Sequence, residues 1–253
     1  MTPRVTVITT SWDDGHVLDH QTAAMLDTYG LPGTFYVAPR NVEIAPRERL
    51  DEHGIRSLAQ RFEIGGHTLR HVRLTTLPDA VARREVLDGK AYLEDLVGSP
   101  LRSFCYVGGC WSPTHREMVR DAGFRIARTV DRYRTAPGPA LETGTTVHAY
   151  RHLVDGPQVR RVAGGDLALA ARLFRHWDDL AVHLFDRVLA TGGVFHLWGH
   201  SWEVAARRDW DRLERVLAHI SRRPGVRYVT NGELPVAGET CGRPVASPVE
   251  AAP

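Results

Sequence analysis

The sequence is poor in the features that mark several large classes of protein. Its 253 residues contain three cysteines, a single lysine (Lys90) and a net charge of only +2. Cys105, Cys110 and Cys241 cannot form a disulfide framework, which favours a reducing compartment. Because 32 basic and 30 acidic residues nearly balance, no strong field draws the chain to nucleic acid or to an anionic membrane. The composition therefore favours neither a disulfide scaffold nor a nucleic-acid-binding protein.

Long apolar runs are missing as well. No run approaches the roughly 20 residues that cross a bilayer, and residues 1–4 lead directly into a strand, which leaves no room for a signal peptide. We therefore expect a cytoplasmic protein without a membrane span. Hydrophobic residues make up 43% of the chain, enough for the core of one large domain, which we place at residues 1–234. Residues 235–253 are rich in Pro, Gly, Ala and Glu and are predicted to be a disordered tail.

What the sequence does contain is a regular alternation of strands and helices. Strand-like runs, such as residues 34–37, alternate seven or eight times with segments of helical periodicity, such as residues 17–29. This order favours a parallel sheet closed into a barrel over a sandwich or a helical bundle. We therefore predict an α/β fold, a distorted (β/α)7-8 TIM-like barrel. The same patterns predict one long helix over residues 166–190 and a strand over residues 145–150.

Two segments near the N-terminus carry residues suited to metal chemistry. A β-branched strand ends in Asp13 and Asp14, and about fifty residues later a second apolar run ends in His67 and His71. On a helical turn, residues four apart share a face, so both imidazoles could bind one ion. One aspartate would complete a three-ligand site that leaves a position for water, and the other would be free to accept a proton. Each signal alone has a simpler explanation, because an Asp pair often caps a helix and a His pair often lies on a surface.

The same two segments resemble motifs of the polysaccharide deacetylase family, whose NodB-homology domain is a (β/α) barrel. Residues 10–15 (TSWDDG) resemble the family's first motif, Thr-Phe-Asp-Asp-Gly, with one extra residue after the threonine. Residues 67–71 (HTLRH) match its second motif, His-Ser/Thr-x-x-His. The resemblance covers about residues 5–234. It implies that Asp13 is the general base and that Asp14, His67 and His71 bind the metal.

A third strand end, residues 103–111, contains two glycines that let backbone N–H groups approach a ligand closely, although a plain strand-to-helix turn would also explain them. The family's third motif lies here, and the resemblance implies that a backbone N–H near Gly108 stabilises the oxyanion. Cys105 stands where the family commonly has an arginine that orients the base. Arg128, at the next strand end, is our candidate substitute. Cys105 and Cys110 match no usual zinc spacing and are expected to be free thiols.

The segment FHLWGHSWE, residues 195–203, is a fourth strand end that carries residues suited to catalysis. A histidine facing the base suits the task of protonating a leaving amine near neutral pH. The family's fifth motif resembles the residues before His200 with a one-residue extension, so His200 is our candidate acid and His196 the reserve. Strand alternation leaves open that His196 is only an interior residue. We expect substrate contacts from Trp12, Tyr106, Gly108, Arg128, His196, Trp198 and Trp202.

His148 and His152 form a second pair of histidines four residues apart. They fall in a predicted strand, where residues at this spacing lie about 13 Å apart and cannot share an ion. We therefore expect them on the surface or on a substrate loop.

Taken together, the residues and the resemblance predict a metal-dependent hydrolase that removes an N-acetyl group from an amino sugar or a small N-acetylated saccharide. Zinc is the first candidate for two imidazoles and a carboxylate, with other divalent transition metals as alternatives. The expected partner is a small molecule or an oligosaccharide rather than nucleic acid, and the oligomeric state is left open. Two alternatives remain: a deformylase or cyclic amide/ureide (allantoinase-like) hydrolase on the same fold, and a non-catalytic saccharide-binding barrel.

Overall fold

The computed structural model describes residues 5–238, which form a curled sheet of parallel strands surrounded by helices. The sheet order is β5-β4-β3-β2-β1-β7-β6, and β8 pairs with β1 beside this path. The strands are β1 (Thr6–Asp13), β2 (Thr34–Val37), β3 (Glu63–Gly66), β4 (Ser103–Cys105), β5 (Ile126–Arg128), β6 (Val147–His148), β7 (Gly193–Gly199) and β8 (Val226–Tyr228).

Helices follow most strands and cover the outer face of the sheet. Leu26, Phe185 and Leu217 lie on three different helices and are fully buried in the core that helices and sheet share. Within residues 5–238 the α-helices are α1 (Asp19–Tyr29), α2 (Glu52–Ala59), α3 (Asp79–Val97), α4 (Pro113–Asp121), α5 (Gly156–Val162), α6 (Leu167–Arg175), α7 (Trp177–Thr191), α8 (Ser201–Arg207) and α9 (Trp210–Ile220).

Strand β1 is the centre of the sheet. All eight of its residues are buried, as expected for a parallel strand that is covered on both faces. One edge of β1 pairs with β7 from Thr6 to Trp12, while the other pairs with β8 in its first half and with β2 in its second half. The carboxyl end of β1 therefore lies in the middle of the edge at which all these parallel strands end.

The predicted distorted α/β barrel is confirmed, and the distortion lies on one side of the sheet. Among the described strands, β5 and β6 end the sheet path and do not pair with each other. Residues 129–146 bridge this opening through irregular backbone hydrogen bonds. For example, the Thr129 N–H donates to the Thr143 carbonyl, and the Tyr133 N–H donates to the Thr146 carbonyl.

The long helix predicted over residues 166–190 is wrong, because the chain forms two helices, α6 and α7. The break falls at His176, whose φ of −126° and ψ of 101° are extended. Asp166 caps α6 by accepting a hydrogen bond from the Leu169 N–H at 2.9 Å. Asp178 lies in the first turn of α7, where a carboxylate favours a new helix N-terminus. Asp166 caps only the start of α6, and His176, the N-cap of α7, makes no side-chain capping hydrogen bond. The break is therefore marked by the extended backbone at His176 and by the acidic first turn of α7.

Other element boundaries also differ from the sequence-based expectations. The strand predicted over residues 145–150 pairs only at Val147–His148. Helices α5 and α8 were not predicted. The predicted tail begins with packed residues, since Val236 is buried and the Ala237 N–H donates to the Gly138 carbonyl. Residues 239–253 of that tail, which include Cys241, lie outside the described residues.

The helices can also be judged against the thickness of a bilayer. In the part of the chain that the structure describes, none of them combines the length and the apolar character needed to cross a membrane.

A substitution at Gly65 in β3 can test how tightly the inner face of the sheet is packed. A Cβ atom on Gly65 would overlap the Tyr36 ring and come within 2.9 Å of Ser103 Oγ. We expect Gly65→Ala to lower the free energy of unfolding by about 1–3 kcal/mol through overpacking. Gly156→Ala is the matched control, because Gly156 has helical φ and ψ and a new Cβ there would meet only Phe174 at 3.8 Å.

Urea denaturation of both variants measures the difference. The control should be neutral or more stable by up to about 1 kcal/mol, since alanine restricts the unfolded chain. Equal stability of the two variants would contradict the packing described for β3.

Candidate active site

The carboxyl ends of five parallel strands place chemically reactive side chains at one edge of the sheet. In such barrels this edge is where active sites form. The residues at or directly after these strand ends are Asp13, Asp14, His67, Cys105, Arg128 and His200.

Asp14, His67 and His71 come together as a possible metal-binding group. Their ligand atoms lie within 4.8 Å of one another. His71 Nε2 is 3.0 Å and His67 Nε2 is 3.6 Å from Asp14 Oδ1. This buried oxygen has no hydrogen-bond partner within residues 5–238, so the short approach of His71 is a convergence without hydrogen-bond geometry. A buried anionic oxygen facing two imidazole nitrogens fits a divalent cation, which would satisfy all three atoms at once.

The two histidines converge through a loop and not, as predicted, through a helical turn. Residues 67–71 form an irregular loop after β3 with bends at residues 69–71, and both Thr68 and His71 have a φ of 62°. Asp14 also has a positive φ, 85°. Such backbone conformations are costly for non-glycine residues and are often found at functional sites. The Thr68 hydroxyl helps to hold the loop by accepting a hydrogen bond from the Val72 N–H at 3.1 Å.

The second nitrogen of each imidazole is also held. His67 Nδ1–H donates to the Cys105 carbonyl at 2.8 Å, and His71 Nδ1–H donates to Glu43 Oε2 at 2.9 Å. Such outer contacts fix the ring orientation of metal-binding histidines and leave Nε2 as the ligand atom. Glu43 was not predicted, because it lies in a loop distant from the histidines in sequence and its position depends on the tertiary fold.

Arg128 forms a buried ion pair with Asp13. One guanidinium nitrogen contacts both carboxylate oxygens of Asp13 and lies 2.9 Å from Cys105 Sγ. The guanidinium lies against the rings of Tyr36, at 5.2 Å, and Trp198, at 4.7 Å. Burial alone would raise the pKa of Asp13, but the charge of Arg128 outweighs it and the pKa of Asp13 is lowered. Asp13 is therefore ionised at neutral pH.

Arg128 is fully buried, so its predicted contact with substrate is wrong, but it lies beside Asp13, where the substitute for the missing arginine was expected. Cys105 and Arg128 are paired across β4 and β5. The guanidinium therefore comes from β5, one strand away from position 105, at the same register position of the sheet.

Cys105 belongs to a second possible ligand group with Asp13 and His67. Burial raises the pKa of this thiol well above its usual value, and the Arg128 guanidinium already lies beside the sulfur. A protonated thiol next to a fixed cation is a poor metal ligand. We therefore favour the group formed by Asp14 and the two histidines. Cys105 and Cys110 are both unpaired within the described part of the chain.

His200 lies on the other side of Asp14. Its Nε2 is 3.9 Å from Asp14 Oδ2, and its Nδ1–H donates to Glu203 Oε2 at 2.5 Å. Burial lowers the pKa of His200, but Glu203 and Asp14 together raise it to about 9. His200 therefore carries a proton on the nitrogen that faces the site, as a general acid requires. Glu203 was not predicted, although it stands three residues after His200 on α8, a spacing that brings side chains together.

Of the three tryptophans expected to contact substrate, only Trp202 has a partly exposed ring. It is 39% exposed, and its Nε1–H donates to Asp14 Oδ2 at 2.8 Å. The indole therefore orients the Asp14 carboxylate while its ring borders the site. Gly108 lies in a tight turn after β4 with a φ of 61°, next to the Arg73 side chain.

Four other predictions of substrate contact are wrong because the side chains are interior. Trp12 and Tyr106 are fully buried; Trp12 packs against Gly199, and the Tyr106 hydroxyl donates to the Leu141 carbonyl at 3.2 Å. Sequence alone could not show this, since aromatic residues beside a motif serve equally well in a core.

His196 and Trp198 are the other two. His196 is fully buried and shares a hydrogen bond with Ser11 at 2.8 Å. Burial lowers the pKa of His196 to about 3, so it is neutral and cannot serve as the reserve acid. Trp198 is only 4% exposed and stacks on His148, with ring centroids 3.8 Å apart.

The predicted separation of His148 and His152 is wrong as well. His148 Nδ1 lies 2.7 Å from His152 Nε2, and His148 is buried. Strand β6 ends at His148, so the chain turns where the pattern suggested continued extension.

The sequence comparison identifies the family. Residues 1–127, half of the chain, match the family model described as polysaccharide deacetylase. The chain belongs to the polysaccharide deacetylase family, and this membership supports a deacetylase. No curated protein matches the sequence.

Three solved structures share the fold along most of the chain. A candidate polysaccharide deacetylase from Mycobacterium smegmatis has a TM-score of 0.60 and 14% identity, covering 90% of this chain and 87% of that one. A peptidoglycan N-acetylglucosamine deacetylase has a TM-score of 0.55 and 17% identity, covering 91% and 87%. A family 4 acetyl xylan esterase from Clostridium thermocellum, in complex with a cobalt ion, has a TM-score of 0.55 and 15% identity, covering 89% and 88%. In three other deacetylase structures the match covers 54% of this chain, and the chain spans 62% of one of them and 45% of the other two.

The ion pair of Asp13 and Arg128 can be tested by its contribution to stability. We expect Arg128→Met to lower the free energy of unfolding by about 3–5 kcal/mol, because it leaves a buried carboxylate without its cation. Arg83→Met is the control, since the Arg83 pair with Asp121 is half exposed and should contribute only about 0–1 kcal/mol. Chemical denaturation measures both.

The double variant Asp13→Asn/Arg128→Met should recover part of the lost stability, because no charge is left unpaired. A single Arg128→Met variant as stable as the Arg83 control would show that the buried pair does not form.

Proposed function

We propose that this chain is a metal-dependent N-deacetylase that hydrolyses the N-acetyl group of an amino sugar or a small N-acetylated saccharide. The observation that carries the proposal is the arrangement around Asp14. Its two carboxylate oxygens face opposite sides: His71 and His67 approach Oδ1, and His200 approaches Oδ2. A candidate base, Asp13, directly precedes it in the chain. Ligands, base and acid thus meet at one edge of the sheet.

Asp14, His67 and His71 are the residues that would hold the cation. A divalent cation bound there supplies a Lewis acid and lowers the pKa of a bound water. Two imidazoles and a carboxylate are a donor set that zinc accepts, with other divalent transition metals as alternatives. The unpartnered Asp14 Oδ1 supports this assignment.

Asp13 is proposed to accept a proton from the attacking water. Arg128 occupies one side of both Asp13 oxygens, and each carboxylate oxygen has a further lone pair with which to accept a proton. Because Arg128 keeps Asp13 ionised, the base is ready at neutral pH. The guanidinium also fixes the orientation of the carboxylate, which is the role proposed for the arginine that this sequence lacks at Cys105.

His200 is proposed to donate its Nε2 proton to the departing nitrogen. The water oxygen bonds to the acyl carbon, a backbone N–H near Gly108 stabilises the negative charge on the acyl oxygen, and the carbon–nitrogen bond then breaks. The products are acetate and the free amine. Glu203 holds His200 through Nδ1 and keeps the ring directed at the site.

A sugar is favoured as the carrier of the acyl group. The partly exposed Trp202 ring borders the site and can cover an apolar sugar face. The structures with the same fold include an N-acetylglucosamine deacetylase and an acetyl xylan esterase, which supports testing both N-acetyl and O-acetyl sugars.

The activity test uses the chain supplied with one equivalent of zinc and a panel of acylated compounds. The panel holds monomeric and oligomeric N-acetylglucosamine, a nucleotide-linked N-acetyl sugar, an O-acetylated xylo-oligosaccharide, an N-formyl sugar and a cyclic ureide. We expect release of acetate and a free amine from at least one N-acetyl sugar. Asp13→Asn should lower kcat by about 10²–10⁴-fold, the usual contribution of a general base, with the metal content unchanged. Asp27→Asn, on the surface of α1, is the control.

The products separate the alternatives. Formate or a ureido acid as the main product would favour the deformylase or cyclic amide hydrolase, and binding of sugar without turnover would favour a non-catalytic barrel. An unchanged rate in Asp13→Asn would show that Asp13 is not the base.

The metal site can be tested through Trp202. We expect Trp202→Phe to raise the dissociation constant for zinc by about 10–100-fold, because it removes the N–H that orients Asp14 while keeping an aromatic ring. Trp111→Phe is the control, since Trp111 packs on Tyr106 after another strand. Competition with a zinc-binding dye measures both constants. Equal zinc affinity in the two variants would argue against Asp14 as a ligand.

A further inference from the structure

A further group of possible ligands includes His200 and extends away from Asp14. It consists of His148, His200 and Glu203, whose ligand atoms lie within 4.8 Å of one another. We name it the His148 cluster. The sequence-based assignment uses none of its members as metal ligands.

The nitrogen His148 Nε2 is the most informative atom of this cluster. It lies 3.0 Å from Glu203 Oε2, yet it is buried and makes no hydrogen bond in the described chain. The His148 side chain is only 4% exposed, so water cannot satisfy this nitrogen freely. The same pattern, a short approach without a hydrogen bond, is seen between His71 and Asp14. In both places a histidine nitrogen lies 3.0 Å from a carboxylate oxygen, close enough for both atoms to bind one cation.

The ring of His148 is held from two further sides. Its Nδ1 lies 2.7 Å from His152 Nε2, and the two nitrogens must share a single proton. When His148 provides that proton, its Nε2 has a lone pair that faces the Glu203 carboxylate, a repulsion that a cation between them would remove. The indole of Trp198 stacks on the ring at 3.8 Å and 10°. Burial lowers the pKa of His148 to about 4, so this imidazole is neutral, whereas His200, whose pKa is raised to about 9, must release its Nδ1 proton when zinc binds.

The geometry points to a second zinc site in this chain, in which His148 Nε2, His200 Nδ1 and the Glu203 carboxylate are the ligands. Two imidazoles and one glutamate, with one position left for water or another ligand, form a known zinc donor set. His152 acts as the outer partner that fixes the tautomer of His148. The site does not depend on the proposed deacetylase activity, because it would bind zinc even if Asp14, His67 and His71 did not.

The site has a consequence if the chain is a deacetylase. A cation on His200 Nδ1 takes the place of the proton there, so His200 can no longer be doubly protonated. Occupancy of the second site would then oppose proton donation to the leaving amine, and zinc above one equivalent would inhibit.

The test is the number of zinc ions bound per chain. The untagged full chain is freed of metal with a chelator, titrated with zinc in a calorimeter, and its metal content measured after gel filtration. We expect two zinc ions per chain in the wild type. His148→Phe, which keeps a ring to stack on Trp198, and Glu203→Gln, which keeps a hydrogen-bond acceptor for His200, should each bind one. His152→Gln should weaken the second ion by about 10–100-fold.

Matched variants separate the two sites. His71→Gln should also bind one zinc ion, and His71→Gln/Glu203→Gln should bind none tightly. His53→Gln, on the surface of α2, should keep two. A zinc count that is the same in the wild type, His148→Phe and Glu203→Gln, whether one ion or two, would overturn the second site. One zinc ion in the wild type that is lost in these two variants and kept in His71→Gln would support the second site and contradict the catalytic one. A His71→Gln variant that keeps the wild-type number of zinc ions would count against the proposed catalytic site but not against the second site. Circular dichroism establishes that each variant is folded, and Glu203→Gln decides the matter if His148→Phe is not.

Discussion

The structure depends on how two adjacent carboxylates are kept charged at the end of a fully buried strand. Removing a carboxylate from water is costly, and two neighbouring ones repel each other, so without compensation at least one would be protonated. Arg128 compensates Asp13 through a buried ion pair, and the imidazoles of His67, His71 and His200 surround Asp14. The β1 strand can therefore end in two charges that have different partners. This difference in partners is the basis of the proposal that one carboxylate acts as a base and the other as a ligand.

The charge of Asp13 is compensated by an arginine on β5, although the family commonly has this arginine at the position of Cys105 on β4. A guanidinium is needed at Asp13, but the residue of β4 nearest to it is Cys105. Because Cys105 and Arg128 are paired in register across β4 and β5, the arginine on β5 reaches the same carboxylate over the small cysteine side chain. A larger residue at position 105 would occupy that path. The cysteine is thus explained by the space that the guanidinium requires and needs no reactivity of its own.

Much of the fold and part of the site could be predicted from the sequence. The alternation of strands and helices gave the parallel barrel, and the strand-end position of Asp13, Asp14, His67 and Arg128 gave their proximity, because parallel strands end at one edge. The convergence of His67 and His71 was expected from a helical turn, but a strained loop achieves it. The burial of Trp12 and Tyr106 was missed, since a motif does not show which side of a strand end faces the core. Glu43 reaches the site from a loop, Glu203 from the short helix α8 and His148 from the two-residue strand β6, and none of these segments has a strong periodicity.

The opening of the sheet between β5 and β6 bears on how this scaffold can change. Arg128 ends β5 and His148 ends β6. The arginine that pairs with Asp13 and the His148 cluster therefore lie on opposite sides of this opening. Residues 129–146 span it with turns and side-chain hydrogen bonds, and the exposed Pro137 lies far along this connection from either strand end. A segment of this kind tolerates changes of length better than a paired strand does. We therefore expect changes of chain length in this fold to concentrate in residues 129–146, while the paired strands that carry Asp13 and Arg128 keep their length.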